Sequence, residues 1–237
     1  MLRLLKELIS PDSAPDDREN APEGMLITGR AGLVAGTQVA TESGWRPVET
    51  LCTGDRLLSF DNGMQPLADL QRDRLGAVAA GRPVAALQAV EVPVAALGND
   101  APFWLMPDQG VLLESDKALE ILGDPFAVVP ARALVGVNGI RLAAPGGGVS
   151  VTTLAFDRDE AIYIAGGPLL FCPRPRRVVG EGAGNDMSFF SVQTLQSARY
   201  LVRALIEARG FRALSVAPDE IAGYLPPPLP RNRTLAG

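Results

Sequence analysis

Residues 32–63, GLVAGTQVATESGWRPVETLCTGDRLLSFDNG, contain three short β-prone runs, each followed by a turn signal. TQVAT leads to ESG, RPVETL leads to CTGD, and RLLSF leads to DNG. In the last of these turns, Asp61-Asn62-Gly63 favours a tight hairpin, because these residue types tolerate the backbone angles of a short hairpin loop. The stretch therefore predicts short strands joined by tight turns.

The same alternation of β-prone runs and turn signals continues along the chain, and it predicts an all-β domain of many short strands. Further β-prone runs are RPVAALQAVEV, FWLM, GVLLES, FAVVPARALV, GIRLAA, VSVTTLAF and EAIYIAG. Residues 116–122, DKALEIL, fit either a helical turn or an edge strand, because periodicity does not separate the two in so short a run. Residues 191–209 have apolar positions at helical spacing, with Gly210 where a cap belongs, and predict a C-terminal α-helix.

The two ends of the chain differ in composition from its middle. Residues 2–9 fit a short amphipathic helix, and the Pro-rich and acidic residues 11–24 fit a linker. The C-terminal tail is Pro-rich and is interpreted as either a loose end or a docking ligand for a partner. The predicted division is an N-terminal helix and linker (1–25), a β domain (26–175) and a helical extension with a Pro-rich tail (176–237).

Composition narrows the classes of function. Apolar residues make up 47% of the 237-residue chain and the net charge is −5, which supports a sizeable core and argues against a nucleic-acid partner. No run approaches the roughly 18–20 apolar residues that span a bilayer, so no membrane partner is predicted. The start, MLRLLKELIS, does not fit a signal peptide. A cytoplasmic chain is the simplest interpretation, and secretion without a cleaved signal stays open.

Histidine is absent from the sequence, which removes the commonest general base near neutral pH and the commonest metal ligand. The two cysteines, Cys52 and Cys172, form neither a disulfide framework nor a zinc-binding pair. No cofactor and no metal are therefore predicted.

Five spaced segments of the chain form a motif series, namely residues 32–37 (GLVAGT), 44–57, 107–112 (PDQGVL), 130–135 and 154–160 (LAFDRDE). Together these segments resemble the Hint domain, the fold of hedgehog autoprocessing domains and inteins, in its bacterial version. They cover about residues 26–175 in the order the family has them. The resemblance implies a flattened, horseshoe-like all-β fold.

The resemblance also implies a catalytic site whose residues this chain lacks. In an active member the first residue attacks the preceding carbonyl through a thiol or hydroxyl. Gly32 occupies that position and has no side chain. The family's histidine positions correspond to Gln109, Thr153 and Asp159, and a Gln side chain can donate a hydrogen bond but cannot shuttle a proton. These degenerate positions predict that the usual autoprocessing is lost.

Three other groups of residues each fit both a functional role and a structural role. Cys52 is an alternative nucleophile, but a small buried or half-buried cysteine is the favoured interpretation. The cluster Asp157, Asp159 and Glu160 fits a metal site or an acid–base pair less well than a solvated turn. Trp45 fits either a partner contact or packing at the rim of the core.

Three hypotheses follow. The first is a degenerate Hint domain that serves as a structural or protein-interaction module, with the 191–209 helix packing on the β domain or mediating contact with a partner or self-association. The second is an autocatalytic peptide-cleaving domain with a non-standard nucleophile such as Cys52. The third is a small-molecule binder that uses the vacated cleft.

Overall fold

The computed structural model describes residues 31–75, 88–145, 149–174 and 190–208. In these residues the chain forms fourteen short strands, two α-helices and two short 3₁₀ helices. The strands are β1 (Leu33–Val34), β2 (Gln38–Thr41), β3 (Gly44–Pro47), β4 (Arg56–Ser59), β5 (Gly63–Pro66), β6 (Asp69–Leu75), β7 (Ala89–Val92), β8 (Phe103–Leu105), β9 (Gly110–Glu114), β10 (Phe126–Pro130), β11 (Arg141–Ala143), β12 (Val149–Ala155), β13 (Glu160–Tyr163) and β14 (Leu169–Cys172). The α-helices are α1 (Asp116–Leu122) and α2 (Leu195–Glu207), and the 3₁₀ helices are Val48–Thr50 and Ala131–Leu134.

The strands form two antiparallel sheets. The six-stranded sheet has the order β11-β7-β8-β1-β12-β6. The eight-stranded sheet has the order β10-β9-β14-β13-β4-β2-β3, and β5 joins it by pairing with β4. The predicted all-β class with a C-terminal α-helix is confirmed.

The main hydrophobic core draws on both sheets and on α2. Leu33 and Leu105 enter it from the six-stranded sheet, and Val111 and Ile162 enter it from the other. The apolar side chains are Val, Leu, Ile and Ala almost throughout, as the low aromatic content of 5% requires. Shared burial of this kind holds the two sheets in one fixed arrangement.

The hairpins predicted from residues 32–63 are present. Glu42 and Ser43 connect β2 to β3, and residues 60–62 connect β4 to β5, where Ser59 pairs with Gly63. The Asp55 side chain closes the CTGD turn, because its Oδ2 accepts a hydrogen bond from the Cys52 N–H at 2.8 Å.

The β-prone run RPVETL is a strand only at its first two residues, because Val48–Thr50 form a 3₁₀ helix. For DKALEIL, one of the two open alternatives is observed. DKALEIL forms the helix α1, whose N-cap is the Ser115 side chain accepting from the Lys117 N–H. Strand β6, DLQRDRL, was not predicted because its side chains are almost all polar. It forms one edge of its sheet and is held by seven register pairs with β12.

Helix α2 starts later than the predicted residue 191. Thr194 is its N-cap, with Oγ1 accepting from the Ser197 N–H at 3.2 Å. The preceding residues instead extend the eight-stranded sheet, because the Val128 N–H donates to the Ser191 carbonyl at 3.0 Å and the Gln193 N–H donates to the Val128 carbonyl at 2.9 Å.

The apolar stripe of α2 is covered by the β domain. Its four buried side chains belong to the main core, and they are Ala198, Leu201, Val202 and Leu205. The helix therefore packs on the β domain, which is the first of the two predicted arrangements. The N-terminal helix and linker, Gly210 and the Pro-rich tail lie outside the described residues.

Candidate functional site

Gly32 lies immediately before β1, is buried, and lies against β12. Its φ is +126°, a backbone conformation that L side chains rarely adopt. A Cβ added to Gly32 would lie 2.6 Å from Val151 Cγ1 and 3.1 Å from Thr153 Oγ1. The space that a nucleophilic side chain would need is already filled by two side chains of β12.

The Gln109 side chain binds the backbone of Gly32. Its Oε1 accepts a hydrogen bond from the Gly32 N–H at 3.0 Å. Its Nε2 donates to the Phe171 carbonyl at 2.8 Å and to the Gly110 carbonyl at 3.2 Å. Gln109 is 2% exposed, so the amide links the starts of β1 and β9 to the end of β14 inside the protein. An amide does this well because it is donor and acceptor at once.

The fold therefore brings together three of the four positions that sequence analysis singled out, namely Gly32, Gln109 and Thr153. Thr153 lies on β12, on the same side of the strand as Val151. None of the three supplies a proton acceptor that works near neutral pH, and none supplies an attacking group at position 32.

Asp159 has a different role in the structure. Its Oδ1 accepts a hydrogen bond from the Arg174 backbone N–H at 2.9 Å, which fixes the chain just after β14. Asp157 is exposed, and residues 157–159 form the turn between β12 and β13, as the favoured interpretation predicted.

Glu160 corrects the prediction of a wholly solvated acidic turn. It is the first residue of β13 and is 1% exposed. The Ser59 hydroxyl donates to its Oε2, and Asn62 Nδ2 donates to both of its oxygens, at 3.1 and 3.0 Å. A buried carboxylate needs such donors, because an unpaired one would be too costly to bury. Sequence reasoning missed this cluster because its partners lie about 100 residues apart.

The two cysteines differ in environment. Cys52 is exposed, so the prediction of a buried or half-buried thiol is wrong. It lies in a turn that the Asp55 side chain closes by accepting from the Cys52 N–H, and the Cys52 side chain stays outside the core. Cys172 is buried at the end of β14, and burial, with the Glu160 charge, raises the pKa of its thiol to about 12.

The described residues contain no group of three or more His, Cys, Asp or Glu side chains that could hold a metal ion. In the same residues, no helix is both long and apolar enough to cross a bilayer.

A family model described as Hint domain matches residues 31–169, which is more than half of the chain. The chain therefore belongs to the Hint-domain family. The match starts one residue before Gly32 and ends within β14, so α2 lies beyond it.

Solved structures with a similar fold are inteins and an intein-like domain. A splice-inactive variant of the AceL NrdHF class 3 split intein is 11% identical, with a TM-score of 0.41, over 62% of this chain and 99% of that one. The bacterial intein-like domain from Clostridium thermocellum is 12% identical, with a TM-score of 0.39, over 59% and 96% of the two chains. The MchDnaB-1 intein is 12% identical, with a TM-score of 0.36, over 59% and 98%. No curated protein matches the sequence.

Proposed function

We propose that this chain is a Hint domain that has lost self-cleavage and that it acts as a structural or protein-interaction module. The observation that carries the proposal is the geometry at Gly32. Attack on the carbonyl of Ala31 requires a thiol or hydroxyl at position 32. Gly32 has φ +126°, and Val151 Cγ1 lies 2.6 Å from the point where its Cβ would be.

Gln109 supports the same proposal. In the structure its side chain is fully used in holding backbone groups, namely the Gly32 N–H and the Phe171 carbonyl. A side chain in this role stabilises the fold without any proton transfer. Residual cleavage by the usual route would need the attacking group and its proton acceptor together, since they act as a unit.

The test is the intact mass of the full-length chain, followed for days with and without an added thiol. The proposal predicts one species at 25.0 kDa in both samples. It also predicts that Gly32→Cys combined with Gln109→His does not cleave, because the backbone and β12 leave no room for the side chain. A break between Ala31 and Gly32 in the wild type would contradict the proposal.

The alternative nucleophile is tested by the same measurement. The Cys52 thiol is exposed, which meets one requirement for a reactive cysteine. If the wild type cleaves, Cys52→Ala abolishes the cleavage only when Cys52 is the attacking group. Cys172→Ala is the matched control, because that thiol is buried.

Association with a partner or a second copy would use the outer face of α2, since the apolar stripe is already covered. Tyr200 is 65% exposed on this face, and Ile206, about a third of the way round the helix from Tyr200, is 48% exposed. If this face carries self-association, sedimentation of the wild type shows a species heavier than 25.0 kDa that Tyr200→Arg reverts to the monomer. A 25.0 kDa species alone removes self-association from the proposal.

A further inference from the structure

The tip of the β4–β5 hairpin contains the dipeptide Asn62-Gly63, which lies beside the buried carboxylate of Glu160. Of the six asparagines in the sequence, only Asn62 and Asn138 are followed by glycine. Asn62 and Gly63 are both exposed. Gly63 has φ +64° and no heavy atom within 4 Å of the point where a Cβ would lie, so no side chain crowds the Asn62–Gly63 junction on that side.

The Asn62 side chain also connects the tip of this hairpin to β13 by hydrogen bonds. Its Nδ2 donates to Oε1 and Oε2 of Glu160, which is 1% exposed. Ser59 donates to the same carboxylate from the base of the hairpin. A neutral amide is suited to this place because it brings two N–H donors and no charge to a buried anion.

We propose that Asn62 is a site of spontaneous deamidation, and that the product releases the hairpin tip from Glu160. The Gly63 backbone nitrogen attacks Cγ of Asn62, and a nitrogen–carbon bond forms while the Cγ–Nδ2 bond breaks. The former amide nitrogen leaves as ammonia with the proton lost by the Gly63 nitrogen. Water then opens the five-membered imide to aspartate or isoaspartate, so no oxidant or reductant is needed.

The product is unfavourable in this position for a physical reason. A carboxylate at residue 62 cannot donate to Glu160, and it places a second negative charge against a buried one. Asp61 already meets this repulsion, because burial and the Glu160 charge both raise the pKa of its carboxyl. The modification therefore removes two hydrogen bonds and adds repulsion at the same point.

The first measurement is peptide mapping by mass spectrometry of the full-length folded chain during incubation at neutral pH. We expect the mass increase of one deamidation to accumulate at Asn62, and to accumulate severalfold more slowly in Gly63→Ala, whose side chain hinders the attack. An Asn62 that stays unmodified while the same residue converts in the urea-unfolded chain would overturn the proposal.

The second measurement tests the consequence with Asn62→Asp, which imitates the product. We expect Tm to fall by about 3 °C or more. Glu160→Gln in the same chain should restore most of the loss, because the neutral amide removes the repulsion and can donate to the new carboxylate. Asn138→Asp is the control, since Asn138 donates to the Ala96 carbonyl and Glu160→Gln should not rescue it. A Tm equal to that of the wild type, or a loss that Glu160→Gln leaves unchanged, would refute the release.

Discussion

At the scale of single residues, Gly32 and Gln109 form a contact between three parts of the fold. The Gly32 N–H and the Phe171 carbonyl both depend on the one Gln109 amide. Gly32 permits this because it adopts a φ of +126° and brings the backbone close to β12. Gly32 and Gln109 thus both satisfy structural requirements of this contact.

The first prediction compares two glycines. Gly32→Ala introduces both a strained φ and a clash with Val151, whereas Gly36→Ala introduces a strained φ of +92° with no atom within 4 Å of the new Cβ. Because overpacking costs about 1–3 kcal/mol, we expect Gly32→Ala to lower the free energy of unfolding by at least about 1 kcal/mol more than Gly36→Ala does. Urea unfolding of both variants measures this, and equal losses would contradict the clash.

The second prediction concerns the Gln109 amide. Gln109→Ala leaves the buried Gly32 N–H and Phe171 carbonyl without this partner, so we expect a loss of at least about 2 kcal/mol of unfolding free energy. Gln71→Ala serves as the control, because Gln71 is exposed on β6 and such changes stay within about 0.5 kcal/mol. A loss at Gln109 no larger than that at Gln71 would exclude the structural role.

The third prediction concerns Thr152, which lies on β12 opposite Leu33. It is 0% exposed, and within the described residues its Oγ1 has no hydrogen-bond partner. Thr152→Val removes a buried hydroxyl that nothing satisfies, so we expect the unfolding free energy to rise by about 1 kcal/mol. Thermal unfolding tests this against Thr41→Val, where the hydroxyl donates to the Gly44 carbonyl and its loss should destabilise.

At the scale of elements, the segment after residue 190 is attached to the β domain in two ways. Residues 191–193 pair with Val128 at the edge of the eight-stranded sheet. Helix α2 then packs near α1, β10 and the 3₁₀ helix Ala131–Leu134. The pairing covers part of the β10 edge, which would otherwise expose unpaired backbone groups.

The fourth prediction tests whether α2 is part of the main core. Leu205 is 0% exposed, so Leu205→Ala should lower the unfolding free energy by about 2–5 kcal/mol. Tyr200→Ala on the outer face should stay within about 0.5 kcal/mol. A single unfolding transition that shifts for Leu205→Ala and not for Tyr200→Ala is the expected result. A second transition appearing in the variant would instead indicate a separately folding helix.

At the scale of the whole molecule, the fold divides the two thiols between surface and interior. Cys52 is exposed and Cys172 is buried. The fifth prediction is that a thiol reagent at neutral pH labels Cys52 rapidly and labels Cys172 only after the chain unfolds. Cys52→Ala should leave no rapid reaction, and rapid labelling that persists in this variant would contradict the buried position.

The raised pKa of Cys172 also gives stability a pH dependence. Its ordinary value is 9.0 and folding raises it to about 12, so the folded state holds the proton more tightly than the unfolded state. This contribution to stability is complete below about pH 9 and is lost as the pH rises toward 12. Cys172→Ala should therefore lessen the decline of unfolding free energy over that range, compared with the wild type.

The strand-rich fold and the family could both be predicted from the sequence. Turn residues such as Asn62-Gly63 act locally, so their effect can be predicted from a few neighbouring residues in the sequence. The motif spacings identified the family, and the absence of a side chain at Gly32 needs no coordinates. Strand β6 could not be predicted, because an edge strand of polar residues is formed by its partner β12 and not by its own apolar pattern.

Only the tertiary structure decided what surrounds Gly32 and Gln109. The amino-acid sequence alone does not show that Val151 and Thr153 fill the space beside Gly32. It also does not show that Gln109 binds the Gly32 N–H. The buried state of Glu160 and the exposure of Cys52 were likewise settled by contacts between distant segments. Local propensity depends on neighbours along the chain, whereas packing, burial and hydrogen-bond partners depend on residues that only the folded chain brings together.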